Sequence, residues 1–311
     1  MRKALSVSLG LALCLSAGGP LRGASGPSDF TGEAGVLYAQ GSRYFLRGHL
    51  AAAQTCFERL ARERPSSAQA WYWLGLARAA RGNYRGGEDA QRLATGHDAN
   101  FGPAYCALGL DLRQTGQRDM ADWAVRRALS LMPRYAGAWN LLGALEQDAH
   151  RFDDARRCYE GALRLDPGYA EAWFNLGQLW ELQGRDGLAL DDYTRSLRAK
   201  PDNADVRLRR AELWQDKGLW EAARRDYDAC LNLQGWAPEA WWGLRRVDLA
   251  EGRADAARRA LKHYFEEARR RDQEQVRLAD RNAARGMEDP SPYEPDAPGL
   301  PDFTMASGER P

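Results

Sequence analysis

Apolar residues along this chain recur three and four positions apart, and glycines interrupt them at a fixed interval. From Ala34 a 34-residue frame repeats without insertion or deletion through seven units, beginning at Ala34, Ala68, Gly102, Ala136, Ala170, Ala204 and Pro238 and ending at Arg271. Its fourth position reads Leu37, Trp71, Tyr105, Trp139, Trp173, Arg207 and Trp241, and its eighth reads Gly41, Gly75, Gly109, Gly143, Gly177, Ala211 and Arg245. The fifteenth holds Gly48, Gly82, Gly116, His150, Gly184, Gly218 and Gly252; the twentieth holds Ala in every unit but the second, which has Gly87. Only 31 of the 311 residues are Gly, so composition alone would place fewer than one at any position of seven units. Self-similarity at such a period marks a repeat architecture.

The spacing predicts two helices per unit. Positions 4, 7, 8 and 11 share one face of the first helix, because residues three and four apart are neighbours. The aromatic at position 4 and Leu74, Leu108, Leu142 or Leu176 at position 7 are core. Gly or Ala at 8 and Ala at 20 remove bulk where the two helices cross. Gly at 15 ends the first helix, since it accepts a left-handed backbone without penalty. Phe57, Tyr159, Tyr193 and Tyr227 at position 24 face inward from the second helix, and Pro65, Pro133, Pro167 and Pro201 stop it. Arg207 and Arg210 in unit six and Arg245 in unit seven replace core or small residues, which predicts looser packing there. Gln40 at position 7 of unit one suits an N-terminal cap facing water.

The run AEAWFNLGQLW from Ala170 to Trp180, with the small residues at 8 and 20, the aromatic at 24 and Pro at 32, closely resembles the tetratricopeptide-repeat family, over roughly three quarters of the chain. That resemblance implies an all-α, right-handed α-solenoid of seven 34-residue helix-turn-helix repeats plus a C-terminal capping helix. It also implies a concave groove, lined by the first helix of each unit, that holds a protein or peptide segment. On this frame the groove is apolar and aromatic at its N-terminal end (Tyr38, Tyr72, Trp73, Cys106, Leu110) and amide-rich in the middle (Asn140, Asn175, Gln178). It becomes acidic later (Glu171, Glu181, Asp205, Glu212, Asp216, with Arg209 and Arg246 between), and Trp242 lies near its end. The expected partner therefore carries an apolar stretch and basic residues. The family's clamp for chaperone C-terminal carboxylates is absent, since Tyr38, Ser42, Trp73, Pro103 and Ala107 occupy its places.

Outside the repeats, Arg2 and Lys3 precede an uncharged apolar run from Ala4 to Gly18 that ends in small residues, the pattern of a secretory signal peptide. The chain is accordingly read as a signal peptide (1–18), a flexible linker (19–33), seven repeats (34–271), a capping helix (272–286) and a Pro-rich disordered tail (287–311). Export to the periplasm or beyond is expected, with an uncleaved N-terminal anchor as the alternative. Membrane contact is expected only if that segment is uncleaved, or lipidated at Cys14. Arginine supplies all but four of the 44 basic residues, a leaning that suits a GC-rich bacterial genome.

A net charge of +1 with 28% charged residues argues against a nucleic-acid binder driven by phosphate neutralisation. Cys56, Cys106, Cys158 and Cys230 show neither a CxxC pair nor a Cys/His ligand spacing and read as small buried hydrophobes. The four histidines fall in different units, and no HExxH, GxSxG or GxxxxGK[ST] motif occurs. No catalytic residue, metal site or cofactor is expected. The function expected is that of a scaffold or adaptor, an envelope assembly factor for a pilus, secretion or outer-membrane complex. The alternatives are a recruiting or regulatory subunit of an enzyme complex and a periplasmic holdase chaperone.

Overall fold

The computed structural model describes residues 30–233 and 237–286. The expected signal peptide, most of the linker and the tail lie outside these residues. Fourteen α-helices, and no strand, are found among the described residues. They pair as α1 (Gly32–Leu46) and α2 (Leu50–Glu63), α3 (Ala68–Ala80) and α4 (Tyr84–His97), α5 (Gly102–Gln114) and α6 (Arg118–Leu131), α7 (Ala136–Asp148) and α8 (Phe152–Leu165). The array continues with α9 (Ala170–Leu182) and α10 (Asp186–Ala199), α11 (Ala204–Asp216) and α12 (Trp220–Leu233), then α13 (Pro238–Ala250) and α14 (Ala254–Gly286). Each pair is one 34-residue unit, so the chain forms an α-solenoid whose core runs along its length. The first helix starts two residues before Ala34, and Phe30 is already buried.

Three contacts recur because the same residue types recur. First, the odd- and even-numbered helices of a unit cross at the small residue of position 8. A Cβ on Gly143 would lie 2.6 Å from the Tyr159 ring and 3.2 Å from the Ala155 carbonyl oxygen; on Gly177 it would lie 2.6 Å from the Tyr193 ring. Second, the tryptophan at position 4 donates its indole N–H back to the proline that ended the previous unit. Trp71 bonds Pro65 at 2.7 Å, and Trp139 and Trp173 bond Pro133 and Pro167 at 2.9 Å each. Third, the turn after the first helix uses a left-handed residue, with φ of 76° at Gly48, 83° at Gly82 and 85° at Gly116. His150 takes the same turn at φ 59° without being glycine.

The looser packing expected in units six and seven does not appear. Arg207 donates to the Pro201 carbonyl oxygen at 2.9 Å, the bond the tryptophans make elsewhere. Arg210 forms two bonds of 2.8 Å to the buried carboxylate of Asp226 and a third, of 2.9 Å, to Thr194. Planar guanidinium forks match a carboxylate bidentately, which lets a charge replace a leucine in a crowded interface. In unit seven Arg245 lies over the Trp242 ring at 4.8 Å. A close approach of a different kind, between units, occurs at Gly243, where a Cβ would fall 2.2 Å from the Tyr227 ring of the unit before.

Residues 272–286, read from the sequence as a capping helix, continue α14, one helix of 33 residues. No Gly or Pro interrupts it between Ala254 and Arg285, so it contains no turn.

The crossing and the turn respond oppositely to exchanges between glycine and a residue with a side chain. Gly177→Ala is expected to lower stability by about 1–3 kcal/mol through overpacking against Tyr193. His150→Gly is expected to raise it, by up to about 1 kcal/mol, by relieving the left-handed strain. Chemical denaturation of both variants checks this, and a shift in the same direction for both would contradict it.

Candidate functional site

The predicted groove residues sit on successive odd-numbered helices, but neighbouring units close over many of them. Trp73 is partly buried, stacked on Phe57 at 5.6 Å and edge-on to Tyr38 at 5.8 Å, Tyr72 at 5.7 Å and Phe45 at 6.1 Å. Tyr72 is buried against Phe101, with ring centroids 5.2 Å apart. Tyr38 packs on Phe30 at 5.3 Å. Cys106 and Leu110 are buried in the core of units three and four. Asn140 is buried and accepts a 2.9 Å hydrogen bond from the Asn175 side chain. Tyr72, Cys106, Leu110 and Asn140 therefore support this face from beneath. Tyr38 and Trp73 stay half-buried at the N-terminal end; further along, Asn175, Gln178, Glu181 and Glu212 are partly exposed and Trp242 is exposed.

That accessible part has its own electrostatics. Arg209 bridges Glu212 at 3.2 Å and Glu181 at 3.8 Å, and Tyr193 donates its hydroxyl to Glu181 at 2.6 Å. Burial raises the Glu212 carboxyl above its ordinary value, with Arg209 opposing the shift. One arginine between two carboxylates leaves an acidic surface, to which exposed Asp216 adds.

The sequence reading missed a cavity of about 470 Å³ between α8, α9 and α10, walled by Trp173, Trp180, Leu163, Leu176 and Leu188. Arg195 lies over Trp173 at 4.7 Å. The buried carboxylate of Asp192 accepts from the Trp180 indole at 3.0 Å and from Arg195 at 3.0 Å. Burial pushes the Asp192 carboxyl up to about 6, while Arg195 and the indole N–H pull the other way. The available signal was Trp180 at position 11 with an acid at position 23 of the same unit, on the helix that packs against it.

A second buried acid stands out at the junction of units two and three. Asp111 is 1% exposed, at a position where units four to seven carry Leu or Val. Burial, and the nearby Glu88, hold its carboxyl well above the usual range. Gly87 makes room for it, because the alanine found there in every other unit would put a Cβ 2.7 Å from its Oδ2.

Among the described residues no cluster of three or more His, Cys, Asp or Glu is arranged to hold a metal ion. No described helix is long and apolar enough to cross a membrane. Among the described residues the four cysteines form no disulfide, and three of them are buried.

Paired helices stacked in register, with aromatic and small residues at fixed positions, define an α-solenoid of the protein-binding kind. The family model of the tetratricopeptide repeat matches residues 38–100 and 143–204. Together with the seven-unit frame and the fold, this shows that the chain carries tetratricopeptide repeats. Among solved structures it is similar to that of pilF from Pseudomonas aeruginosa, at 23% identity and a TM-score of 0.57 over 69% of this chain and 99% of that one. The thermophilic TPR protein TTC0263 of Thermus thermophilus matches at 24% identity and a TM-score of 0.54, over 59% of this chain and 100% of that one. The APC/C hetero-tetramer Cut9-Hcn1 matches at 20% identity and 0.59, over 73% of this chain and 42% of that one. At these identities the likeness is one of fold. No curated protein matches the sequence.

Asp192 gives a pH prediction. Its folded value of about 6 lies above that of an unfolded aspartate, about 3.9. Its stabilising contribution is therefore fully present below about pH 4 and lost as pH rises through about 6. Tryptophan fluorescence should report a transition near pH 6 through Trp180. It should vanish in Asp192→Asn; a transition that survives this change would assign it to another group.

Proposed function

We propose that the array is a scaffold that holds a basic partner segment along α9, α11 and α13, and that it serves as an assembly factor of a bacterial envelope machine. The observation that carries this reading is the accessible stretch of the odd-numbered helices. Glu181, Glu212 and Asp216 outnumber the intervening Arg209 and Arg246, and the stretch leads to exposed Trp242. Arg209 offsets only one charge of the Glu181–Glu212 pair, and the remaining negative charge, with Asp216, attracts a cation from a partner. An exposed aromatic beside it gives a large rigid anchor. Asn175 and Gln178 lie in the same stretch and offer amides to an extended backbone.

The envelope setting rests on the charged-then-apolar pattern of residues 1–18 and on the likeness of fold to the Pseudomonas pilF structure. The tetratricopeptide repeat is a protein-binding module, so catalysis in any complex formed falls to another chain. A recruiting subunit of an enzyme complex would instead bring down one enzyme, and a holdase would bring down many clients.

The test is affinity capture from the native host after mild cross-linking. It compares the wild-type chain with Glu181→Gln/Glu212→Gln/Asp216→Asn, which keeps the Trp73 core intact. One stoichiometric envelope partner is expected, with recovery reduced roughly tenfold in the variant and weakened by added salt, as screened charge pairs require. Recovery of the same partners at the same yield would show that this face is not the site.

A further inference from the structure

The last unit ends on a face that every earlier unit covers. At position 27 the first six units carry Leu60, Ala94, Ala128, Ala162, Ser196 and Cys230, none more than 1% exposed. Unit seven carries Tyr264 there, partly exposed. One residue on, Leu163 and Leu197 are 8% and 7% exposed, whereas Phe265 is 61% exposed. Leu163 shares its cavity with Trp173 and Leu176 of the following unit, so this side points at the next first helix. Trp242, 43% exposed, completes the patch: its ring is 5.5 Å from Tyr264, which is 5.4 Å from Phe265. Because α14 runs on as one helix, residues 272–286 do not fold back over this face.

The six internal junctions state what chemistry covers such a face. The covering helix presents a small residue at position 3, Ala in five units and Val206 in the sixth, each 0% exposed. It then presents Leu at position 7 in all but unit six. At three of the six junctions charges are matched across from positions 21 or 25. Glu58 at position 25 faces Arg78 at position 11 of the next unit, 3.5 Å away, and Arg126 faces Glu146 at 3.1 Å. Arg224 at position 21 pairs with Asp248 at position 11 and, at 2.9 Å, with Glu251 at position 14. At the open end positions 21 and 25 are Arg258 and Lys262, with side chains 81% and 75% exposed. Their ion pairs run along their own helix, to Asp255 at 3.2 Å and Glu266 at 3.9 Å.

We propose that this end is a second docking surface, which takes an amphipathic helix of a partner protein. That helix carries a small residue, a leucine four residues on, and carboxylates four and seven residues beyond the leucine. The chain's own α13 displays the pattern as Ala240, Leu244, Asp248 and Glu251. A second copy of the chain is a poor occupant. Its α1 offers Val36, then Gln40, Tyr44 and Arg47 at the following places, which sets Arg47 against Arg258. The surface meets the groove only at Trp242 and can fail or succeed independently of it.

The probe is a synthetic peptide of residues 237–253, held helical by a staple on its solvent side and titrated, with a fluorescent label, against the full chain. Saturable binding is expected, weakened about tenfold by Phe265→Glu and about fivefold by Arg258→Glu/Lys262→Glu. A stapled peptide of residues 67–83, which carries Arg78 and Arg81 at the corresponding places, should bind the wild type about tenfold more weakly and prefer the charge-reversed chain. The substituted side chains are exposed, and circular dichroism checks that the fold is kept. Absence of binding, equal affinity for the two peptides, or indifference to Phe265→Glu overturns the proposal. So does self-association in sedimentation velocity that Phe265→Glu abolishes, which would give the face to a second copy.

Discussion

The close approach of two helix backbones at position 8 is the constraint on which the array depends. With a glycine there, the ring at position 24 of the partner helix can lie flat against the backbone, as Tyr159 does at Gly143 and Tyr193 at Gly177. That depth of contact sets the distance between the helices of a unit. It therefore sets where the tryptophan at position 4 meets the preceding proline. A solenoid has no central core to absorb errors, and each unit is held only by its neighbours. One methyl group at the crossing is felt in the unit itself and in the next.

The arginines of units six and seven show how the constraint is met with other chemistry. Arg207 keeps the hydrogen bond of the tryptophan it replaces, and Arg210 brings its own counter-charge in Asp226. Glu146 and Asp248 both stand at position 11, and each is bound by an arginine at position 16 of its own unit, Arg151 and Arg253, and by one from the unit before, Arg126 and Arg224. A buried charge left alone would cost several kcal/mol, whereas a charge with two donors is tolerated. Some junctions are thus specified by matched charges as well as by apolar fit, which makes the cations at the open end, paired only along their own helix, informative.

Two surfaces follow from one architecture. Along the array, the odd-numbered helices display an acidic stretch from Glu181 to Asp216 that leads to Trp242. At its end, the last pair of helices displays the apolar and basic side that an eighth unit would cover. They differ in charge sign, so as proposed docking surfaces they would select different partners.

Much of the architecture was legible from the sequence alone. The period, the two helices per unit, the glycine turns and the inward faces all follow from local rules, because each depends on residues three, four or 34 apart. Helix ends at Leu46, Ala80 and Gln114 fall just before the predicted glycines for this reason. What spacing does not contain is which side chains a neighbouring unit closes over. Tyr72, Cys106, Leu110 and Asn140 occupy groove positions by register, yet the structure buries them, since burial is set by the bulk of residues outside their own helix, such as Phe101 in the turn before α5. The compensation of Arg210 by Asp226, the room that Gly87 leaves for Asp111, and the cavity beside Trp180 are likewise relations between helices. Sequence by itself determined the helices and their order, because those are decided within a turn or two of chain. Only the tertiary structure decided which surface remains for a partner, because exposure is what is left after every neighbour has packed.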